Sequence, residues 1–276
     1  MRELAFWPFG EVASGRLQGA RRVYFGAELC GSLLPGVTML ERAIEWATRG
    51  KLELTLVLPY VGQGQLEAAT RLVNALASTK PDSEVVVNDW GLLRVVAAER
   101  RLRPVAGRGL DRGPSNDPRL DEYLGETIPD AGLVELRGSS FASPPLVRVL
   151  SSLGVTRAEL DLPSLGSPEL LAGSALRFSV HVPYALVASG RVCAFARMHR
   201  PAERLGACSR ECVPLLAELE AARPVAGRLP ITLAGNSVFA RHPVTLDGLR
   251  SLSESWPANA DRIVYSERPG GLPWKV

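Results

Sequence analysis

Short apolar, β-branched segments alternate with amphipathic segments along most of this 276-residue chain. Strands are predicted at residues 22–25, 52–58, 84–87, 102–106, 133–136 and 157–162. Helices with apolar residues at helical spacing are predicted at residues 39–49, 66–77, 90–99 and 146–153. Strands separated by single helices form a parallel sheet with right-handed crossovers. So many units in a chain of this length favour a TIM-barrel-like (β/α) barrel over a doubly wound sheet.

The glycine pattern does not support a nucleotide-binding fold, because no GxGxxG follows the first strand and no P-loop is present. Two stretches rich in turn-forming residues, 107–117 and 197–214, are predicted as loops rather than domain linkers. We therefore expect one barrel domain over residues 1–276. The second of these loops carries cysteines and is expected to close one mouth of the barrel.

The composition is that of an ordinary globular protein, with 46% hydrophobic and 22% charged residues. The net charge is only +3, and there is no dense basic stripe to favour nucleic-acid binding. No apolar run approaches the ~20 residues of a membrane span. The first residues lack the features of a signal peptide, so a cytoplasmic protein is expected.

The four cysteines form an unusual constellation. Cys208 and Cys212 are spaced so that both thiolates can face one centre from a single turn, and Cys193 precedes them in the same region. Cys30 lies far upstream, just after the strand predicted at 22–25. Four thiolates are the usual ligands of a cubane iron–sulfur cluster or of tetrahedral zinc. The cysteines are therefore predicted to converge on one metal centre.

Other interpretations of the cysteines are weaker. Two disulfides would be unusual in a cytoplasmic chain of this size. A buried free thiol is a reasonable interpretation of Cys30 alone, but the polar neighbours of Cys208 and Cys212 do not suit a core. Zinc sites usually draw their ligands from two close pairs, and only one close pair is present here. This spacing favours a cluster over zinc.

Several separate segments match a known family. Tyr24, Gly26 and Cys30 follow the pattern Y-x-G-x-x-x-C, and Cys193 begins a C-x-x-A-R segment that leads to the C-x-x-x-C of Cys208. The other matching segments are 5–8, 87–93, 102–110, 134–136 and 229–236. On these residues the chain resembles peptidase family U thirty-two, and within it the ubiquinone-biosynthesis branch. The likeness covers most of the chain.

The resemblance implies a TIM-barrel-like fold and a 4Fe–4S cluster on Cys30, Cys193, Cys208 and Cys212. It implies oxygen-independent hydroxylation of a small aromatic or prenylated ring, with prephenate as the hydroxyl donor. It also implies a heterodimer with a cluster-bearing paralogue. Two alternatives from the same family remain open: an RNA-base hydroxylase, and a non-catalytic partner that only carries the cluster. Proteolysis is not expected, because neither HExxH nor a G-x-S-x-G elbow is present.

Two carboxylates are candidate catalytic residues. Asp89 and Glu135 lie at the end of a predicted strand or just inside one, and such positions face the active-site mouth of a barrel. Asp89 serves equally well as the cap of the helix predicted at 90–99. Glu135 lies in an apolar strand and needs a partner, for which Arg108 and Arg137 are candidates.

Further polar residues have alternative roles. Glu28 either lines the same cavity as Cys30 or is solvated, and Asn236 either binds a ligand or occupies a left-handed turn. Tyr24 is expected to pack with one wet end. The three histidines, His181, His199 and His242, do not form a recognisable metal-binding set.

Overall fold

The computed structural model describes residues 2–9, 19–111, 128–129, 131–132, 138–162, 171–190, 193–199, 208–219, 229–245 and 248–271. Its strands are β1 (Glu3–Trp7), β2 (Arg22–Gly26), β3 (Glu53–Leu58), β4 (Glu84–Val87), β5 (Arg103–Ala106), β6 (Arg157–Asp161), β7 (Arg177–Val182), β8 (Tyr184–Ser189), β9 (Ala217–Leu219), β10 (Ile231–Ala234), β11 (Ser237–Arg241) and β12 (Ala260–Ser266). Its helices are α1 (Val37–Arg49), α2 (Gln63–Thr79), α3 (Trp90–Ala98), α4 (Pro144–Ser152), α5 (Ala194–His199) and α6 (Gly248–Glu254).

Eight parallel strands close into a barrel. Strands β1 to β7 pair in chain order, and β12 closes the barrel by pairing with both β7 and β1. The TIM-barrel-like fold is thereby confirmed. The strand predicted at 133–136 lies outside the described residues. Among the described strands, β5 pairs directly with β6, and Val105 lies beside Arg157. The single domain over residues 1–276 stays a prediction.

The apolar pattern explains why these elements form. All residues of β3 after Glu53 are buried, as expected for a strand covered on both faces by a parallel barrel and its helices. Helix α1 turns Leu40, Ala43, Ile44 and Ala47 towards the barrel, which is one face of a 3.6-residue period. These helices pack around the strands in one large hydrophobic core.

A second sheet interrupts the barrel between β7 and β12. It is antiparallel, in the order β8–β11–β10–β9, and it begins almost directly after β7. Of its strands, the sequence indicated only β10. The prediction of a loop over residues 197–214 is wrong at its start, because helix α5 continues to His199. Helix α5 and the segment 208–216 lie between β8 and β9 in the chain. Cys193 directly precedes this helix, and Cys208 and Cys212 are in this segment.

Among the described residues, the structure contains no helix with the length and apolar character needed to cross a bilayer.

Candidate functional site

The four cysteines lie on three separate stretches of chain near the carboxyl ends of the barrel strands. Cys30 follows the end of β2, Cys193 directly precedes helix α5, and Cys208 and Cys212 lie in the segment that leads to β9. All four side chains line one cavity of about 830 Å³. The four cysteines therefore share one cavity, and their convergence on a metal centre stays a prediction. We call Cys30, Cys193, Cys208 and Cys212 the four-thiol site.

The turn from β2 to Cys30 depends on two glycines. Gly26 has φ +125°, and a Cβ there would lie 2.2 Å from the Val57 carbonyl oxygen. Gly31 follows Cys30, and a Cβ there would lie 2.8 Å from the backbone oxygen of Tyr60. Only glycine allows the chain to leave β2 and pass this close to β3 and the loop after it. These contacts account for the glycine in the Y-x-G-x-x-x-C segment.

Backbone groups contact the sulfur atoms of the site. The N–H groups of Ser32 and Leu33 point at the Cys30 sulfur, and the Arg210 N–H donates to Cys208 Sγ over 3.4 Å. Cys193 Sγ in turn donates to the Gly235 carbonyl over 3.4 Å. Donors of this kind stabilise thiolates, and around metal centres they tune the bound group.

Burial governs the acidity of two of the thiols. It raises the pKa of Cys212 to about 11, and the neighbouring thiols of the site act in the same direction. Burial also raises the pKa of Cys30, partly offset by the N–H groups of Ser32 and Leu33. Apolar side chains, including Phe195 and Leu233, surround three of the cysteines. Both thiols are therefore protonated at neutral pH unless a positive centre binds them.

The thiols do not surround a single point. Among the described residues, no group of three or more His, Cys, Asp or Glu side chains is close enough to hold one metal ion. Four sulfurs bound to one zinc at ~2.3 Å would lie roughly 3.8 Å apart. In this structure the four cysteines line one cavity and do not form a closed tetrahedral site.

The cavity also has polar walls. Tyr60, Gln63, Gln65, Asp89 and Asn236 line it beside the cysteines. The Asp89 side chain accepts a hydrogen bond from the Leu92 N–H over 3.0 Å, which confirms the predicted helix cap at the start of α3. Asp89 therefore combines the capping position with a place in the cavity wall, and its catalytic role stays a prediction.

Asn236 holds the site together rather than occupying a left-handed turn. Its side-chain amide donates to the Gly190 carbonyl over 2.7 Å and to the Leu29 carbonyl over 3.2 Å. The left-handed conformation belongs to Gly235, with φ +59°. Asn236 therefore ties the β10–β11 turn to the residue that precedes Cys30.

A buried ion-pair group, which we call the mouth triad, lies at the carboxyl end of the barrel. Arg108 donates two hydrogen bonds of 2.7 Å to the Glu28 carboxylate and one of 2.5 Å to Asp161. Burial alone would raise the pKa of Glu28, but Arg108 outweighs it and holds the pKa below its usual value. Burial raises the pKa of Asp161 despite the same arginine. The solvated alternative for Glu28 is therefore wrong.

The candidate Glu135 lies outside the described residues, as does its possible partner Arg137. Arg108, the other proposed partner, is engaged by the mouth triad. The sequence pattern gave no sign of this pairing, because the three members come from different strand ends far apart in the chain.

A second buried polar group lies inside the barrel and was missed by sequence reasoning. The Tyr24 hydroxyl donates to Glu159 over 2.9 Å, and His181 Nε2 contacts the other oxygen of the same carboxylate. Tyr24 is fully buried, so the expected wet end is wrong. Alternating inward positions of β2, β6 and β7 bring these residues together, and no local motif marks them.

Of the histidines whose side chains the structure describes, neither His181 nor His242 lines the cavity of the four-thiol site. His181 lies in the barrel interior, and burial lowers the pKa of His242. The side chain of His199 lies outside what the structure describes. The expectation that the histidines form no metal set remains untested for His199.

Comparisons with known proteins find no family model that matches the chain. No curated protein matches it either. Among solved structures, the chain is similar to Streptococcus suis SuiB bound to S-adenosylmethionine, with a TM-score of 0.33 and 15% identity over 65% of this chain and 38% of that one. SuiB bound to the precursor peptide SuiA gives a TM-score of 0.32 and 14% identity over the same shares. The chain thus spans well under half the length of SuiB, and a likeness of this size carries no argument about function.

Proposed function

We propose that this chain holds a 4Fe–4S cluster on Cys30, Cys193, Cys208 and Cys212. We further propose that it works as the ubiquinone-biosynthesis protein UbiV does, in oxygen-independent hydroxylation, as one subunit of a heterodimer with a UbiU-like paralogue. The observation that carries the proposal is the convergence of four thiols from three separate stretches of chain on one cavity at the catalytic end of a TIM-type barrel.

The residues present fit a cluster better than a zinc ion. In a cubane cluster each cysteine binds a different iron, so the four sulfurs surround the group instead of meeting at one point. The four thiols share one cavity, and no described set of ligands is compact enough for a single ion. Backbone N–H donors and an apolar shell beside the sulfurs are also features that stabilise and tune clusters.

When bound, such a cluster supplies electron transfer or polarises an oxygen-bearing ligand. The chain's own residues form the remainder of the cavity. Gln63, Gln65 and Asp89 present hydrogen-bonding groups on the barrel side of the cavity, opposite the cysteines carried by the segment 208–212. A small polar or aromatic molecule held there would be oriented by these groups. Asp89 would be the one carboxylate among them able to accept a proton.

Exposed apolar side chains support the proposed pairing. Met198 on helix α5 is 67% exposed, and Leu219 on β9 is 50% exposed. Leu215 and Leu216 are also exposed and lie between Cys212 and β9. Strand β9 is the edge of its sheet among the described strands. An apolar surface next to an open strand edge is typical of a site that a partner covers.

Anaerobic purification with iron and sulfide analysis tests the cluster. We expect a brown protein that absorbs near ~400 nm, with close to four iron and four sulfide per chain. Cys208→Ser should lose most of that absorbance, because Cys208 is exposed and serine there disturbs little else. Ser209→Ala is the matched control and should keep it. A colourless protein with one zinc per chain would overturn the proposal.

Co-expression with a UbiU-like paralogue tests the pairing and the activity together. We expect the two chains to co-purify, and the pair to restore anaerobic ring hydroxylation in cells that lack the native proteins. The pair carrying Cys208→Ser should co-purify and fail to hydroxylate. Salt-sensitive retention of RNA by the chain alone, without pairing, would favour the RNA-base hydroxylase instead.

A further inference from the structure

The side chain of Arg268 lies directly beneath the segment that carries Cys212. Arg268 follows the last barrel strand, β12, and is only 7% exposed. Its guanidinium donates to the carbonyls of Cys212 and Val213 over 2.7 Å each, and also to that of Leu215. One side chain therefore satisfies three carbonyls of a four-residue stretch. The stretch is followed by the short strand β9.

The charge of Arg268 has no anionic partner among the described carboxylates. The groups near it that can carry a negative charge are the Cys212 thiol and the Tyr184 hydroxyl. Its guanidinium carbon lies 4.5 Å from the centre of the Phe9 ring, and its Nε is buried without a hydrogen-bond partner. A buried cation without a counter-charge costs several kcal/mol. The position therefore favours a negative charge on the Cys212 side.

We propose that Arg268 is a positioning residue of the four-thiol site that clamps the Cys212 segment to the end of β12 and balances the negative charge of the cluster bound there. The inference rests on the proposed cluster. A 4Fe–4S core with four thiolates carries a net charge of about −2 in its usual oxidised form and one more negative charge when reduced. A fixed cation next to one ligand favours the reduced form and so raises the reduction potential.

Two substitutions separate the clamp from the charge. Arg268→Lys keeps the charge but replaces the two guanidinium nitrogens that share the three carbonyls by a single nitrogen, and Arg268→Met removes both the charge and the donors. Arg241→Gln is the matched control, because Arg241 is an exposed arginine at the end of β11 in the antiparallel sheet, paired only loosely with Glu218 at 3.7 Å.

The first measurement is the midpoint potential of the anaerobically loaded protein, together with the rate of cluster loss to a chelator. For Arg268→Met we expect cluster loss roughly tenfold faster. We also expect a lower potential, equivalent to about a tenfold change in the ratio of reduced to oxidised cluster, or ~59 mV for one electron. Arg268→Lys should lose its cluster faster while keeping a potential close to the unsubstituted one. Arg241→Gln should change neither.

The second measurement needs no cluster. In the cluster-free protein, alkylation followed by mass spectrometry gives the reaction rate of each thiol. Arg268→Lys keeps the positive charge that favours the thiolate, so in this variant the Cys212 thiol, once unclamped, should react several-fold faster while Cys30 reacts at an unchanged rate. Arg268→Met also loses that charge, and its Cys212 thiol should react more slowly than in Arg268→Lys. A variant that circular dichroism shows to be unfolded is set aside, and the other variant decides.

The outcomes distinguish the inference from the proposed function. If the unsubstituted protein binds no iron and sulfide, the cluster proposal and the charge role both fail, and the alkylation rates still decide the clamp. If the cluster forms but both variants match Arg241→Gln in potential, cluster loss and alkylation, the role of Arg268 is overturned and the cluster stands.

Discussion

The barrel interior and the four-thiol site satisfy their charges in different ways. In the interior, arginines meet carboxylates: Arg262 contacts Glu3 over 2.8 Å and binds Glu84 through two nitrogens, and Arg22 contacts the same two acids. We call Glu3, Arg22, Glu84 and Arg262 the lower network, because they lie at the amino ends of the strands. Its charges balance within the protein. The network therefore stabilises the fold without any ligand.

At the four-thiol site, arginines meet backbone carbonyls instead. Arg268 donates to three of them, and Arg210 donates to the carbonyls of Ser32 over 2.9 Å and Leu34 over 3.4 Å. Burial raises the pKa of the Cys30 and Cys212 thiols, so both are neutral when free. The positive charge of Arg268 is thus left without a carboxylate partner among the described residues. Arginines that are paired with carboxylates of the same chain therefore stabilise the fold. A buried arginine without such a partner indicates where an anionic ligand is expected.

The largest expected effect is on the mouth triad, where a buried arginine again meets carboxylates. Arg108→Met would leave Glu28 and Asp161 buried without their cation, and breaking a buried pair from one side costs about 3–5 kcal/mol. Urea unfolding of the cluster-free protein measures this loss. Arg71→Met, which removes an exposed helix-surface pair with Glu67, is the control and should leave the midpoint unchanged. Equal losses in the two variants would contradict the comparison.

The next effect is a pH dependence from the lower network. Arg262 and its neighbours overcome burial and lower the pKa of Glu84 to about 2. A carboxyl whose folded pKa lies below its unfolded value stabilises the protein above the unfolded value, near 4.5. That contribution, roughly 3 kcal/mol, is lost as the pH falls from about 4.5 to 2.

Glu84→Gln tests this dependence. The variant should be less stable than the unsubstituted protein at pH 7, and the difference in unfolding free energy should shrink as the pH falls towards 2. Urea unfolding at a series of pH values measures it. Glu53→Gln is the control, since Glu53 is largely exposed and meets only Lys80 at 3.8 Å. A difference that stays constant with pH would show that Glu84 is not held by the lower network.

Local patterns were sufficient to predict the barrel. Apolar strands such as β3 and amphipathic helices such as α1 can be recognised from short runs of neighbouring residues. The alternation of strands with helices then implies that the strands pair in parallel. The cap at Asp89 was likewise visible, because a cap and its helix are neighbours in sequence. The antiparallel sheet was largely missed, since β8 ends in exposed residues and two of the three residues of β9 are exposed.

The candidate site was only partly predictable. The four cysteines could be found by spacing, because three of them lie within one region of the sequence. Glu159 and His181 could not, because an inward-facing position in a barrel strand has no signature beyond alternation. Arg268 is a further case. Its contacts are with backbone carbonyls more than fifty residues away. Every residue has such a carbonyl, so the sequence does not show which ones the arginine will bind.

The smallest expected effect concerns the other arginine of the four-thiol site. Arg210 has φ +61°, its N–H donates to Cys208 Sγ, and its exposed guanidinium reaches the Cys30 segment at Ser32 and Leu34. Arg210→Ala removes the side-chain tether and keeps the backbone donor. Two hydrogen bonds at the surface contribute about 1 kcal/mol or less, so the urea midpoint should hardly move.

The loss of the tether should appear in the site itself. We expect cluster loss to a chelator to be a few-fold faster in Arg210→Ala, because this side chain then no longer ties the Cys208 segment to the Cys30 segment. Arg197→Ala, which removes an exposed arginine of helix α5 close to Cys193, is the control and should keep the original rate. If both variants lose the cluster at the original rate, the carbonyl contacts of Arg210 do not order the site, and Arg268 alone distinguishes this end of the barrel from the lower network.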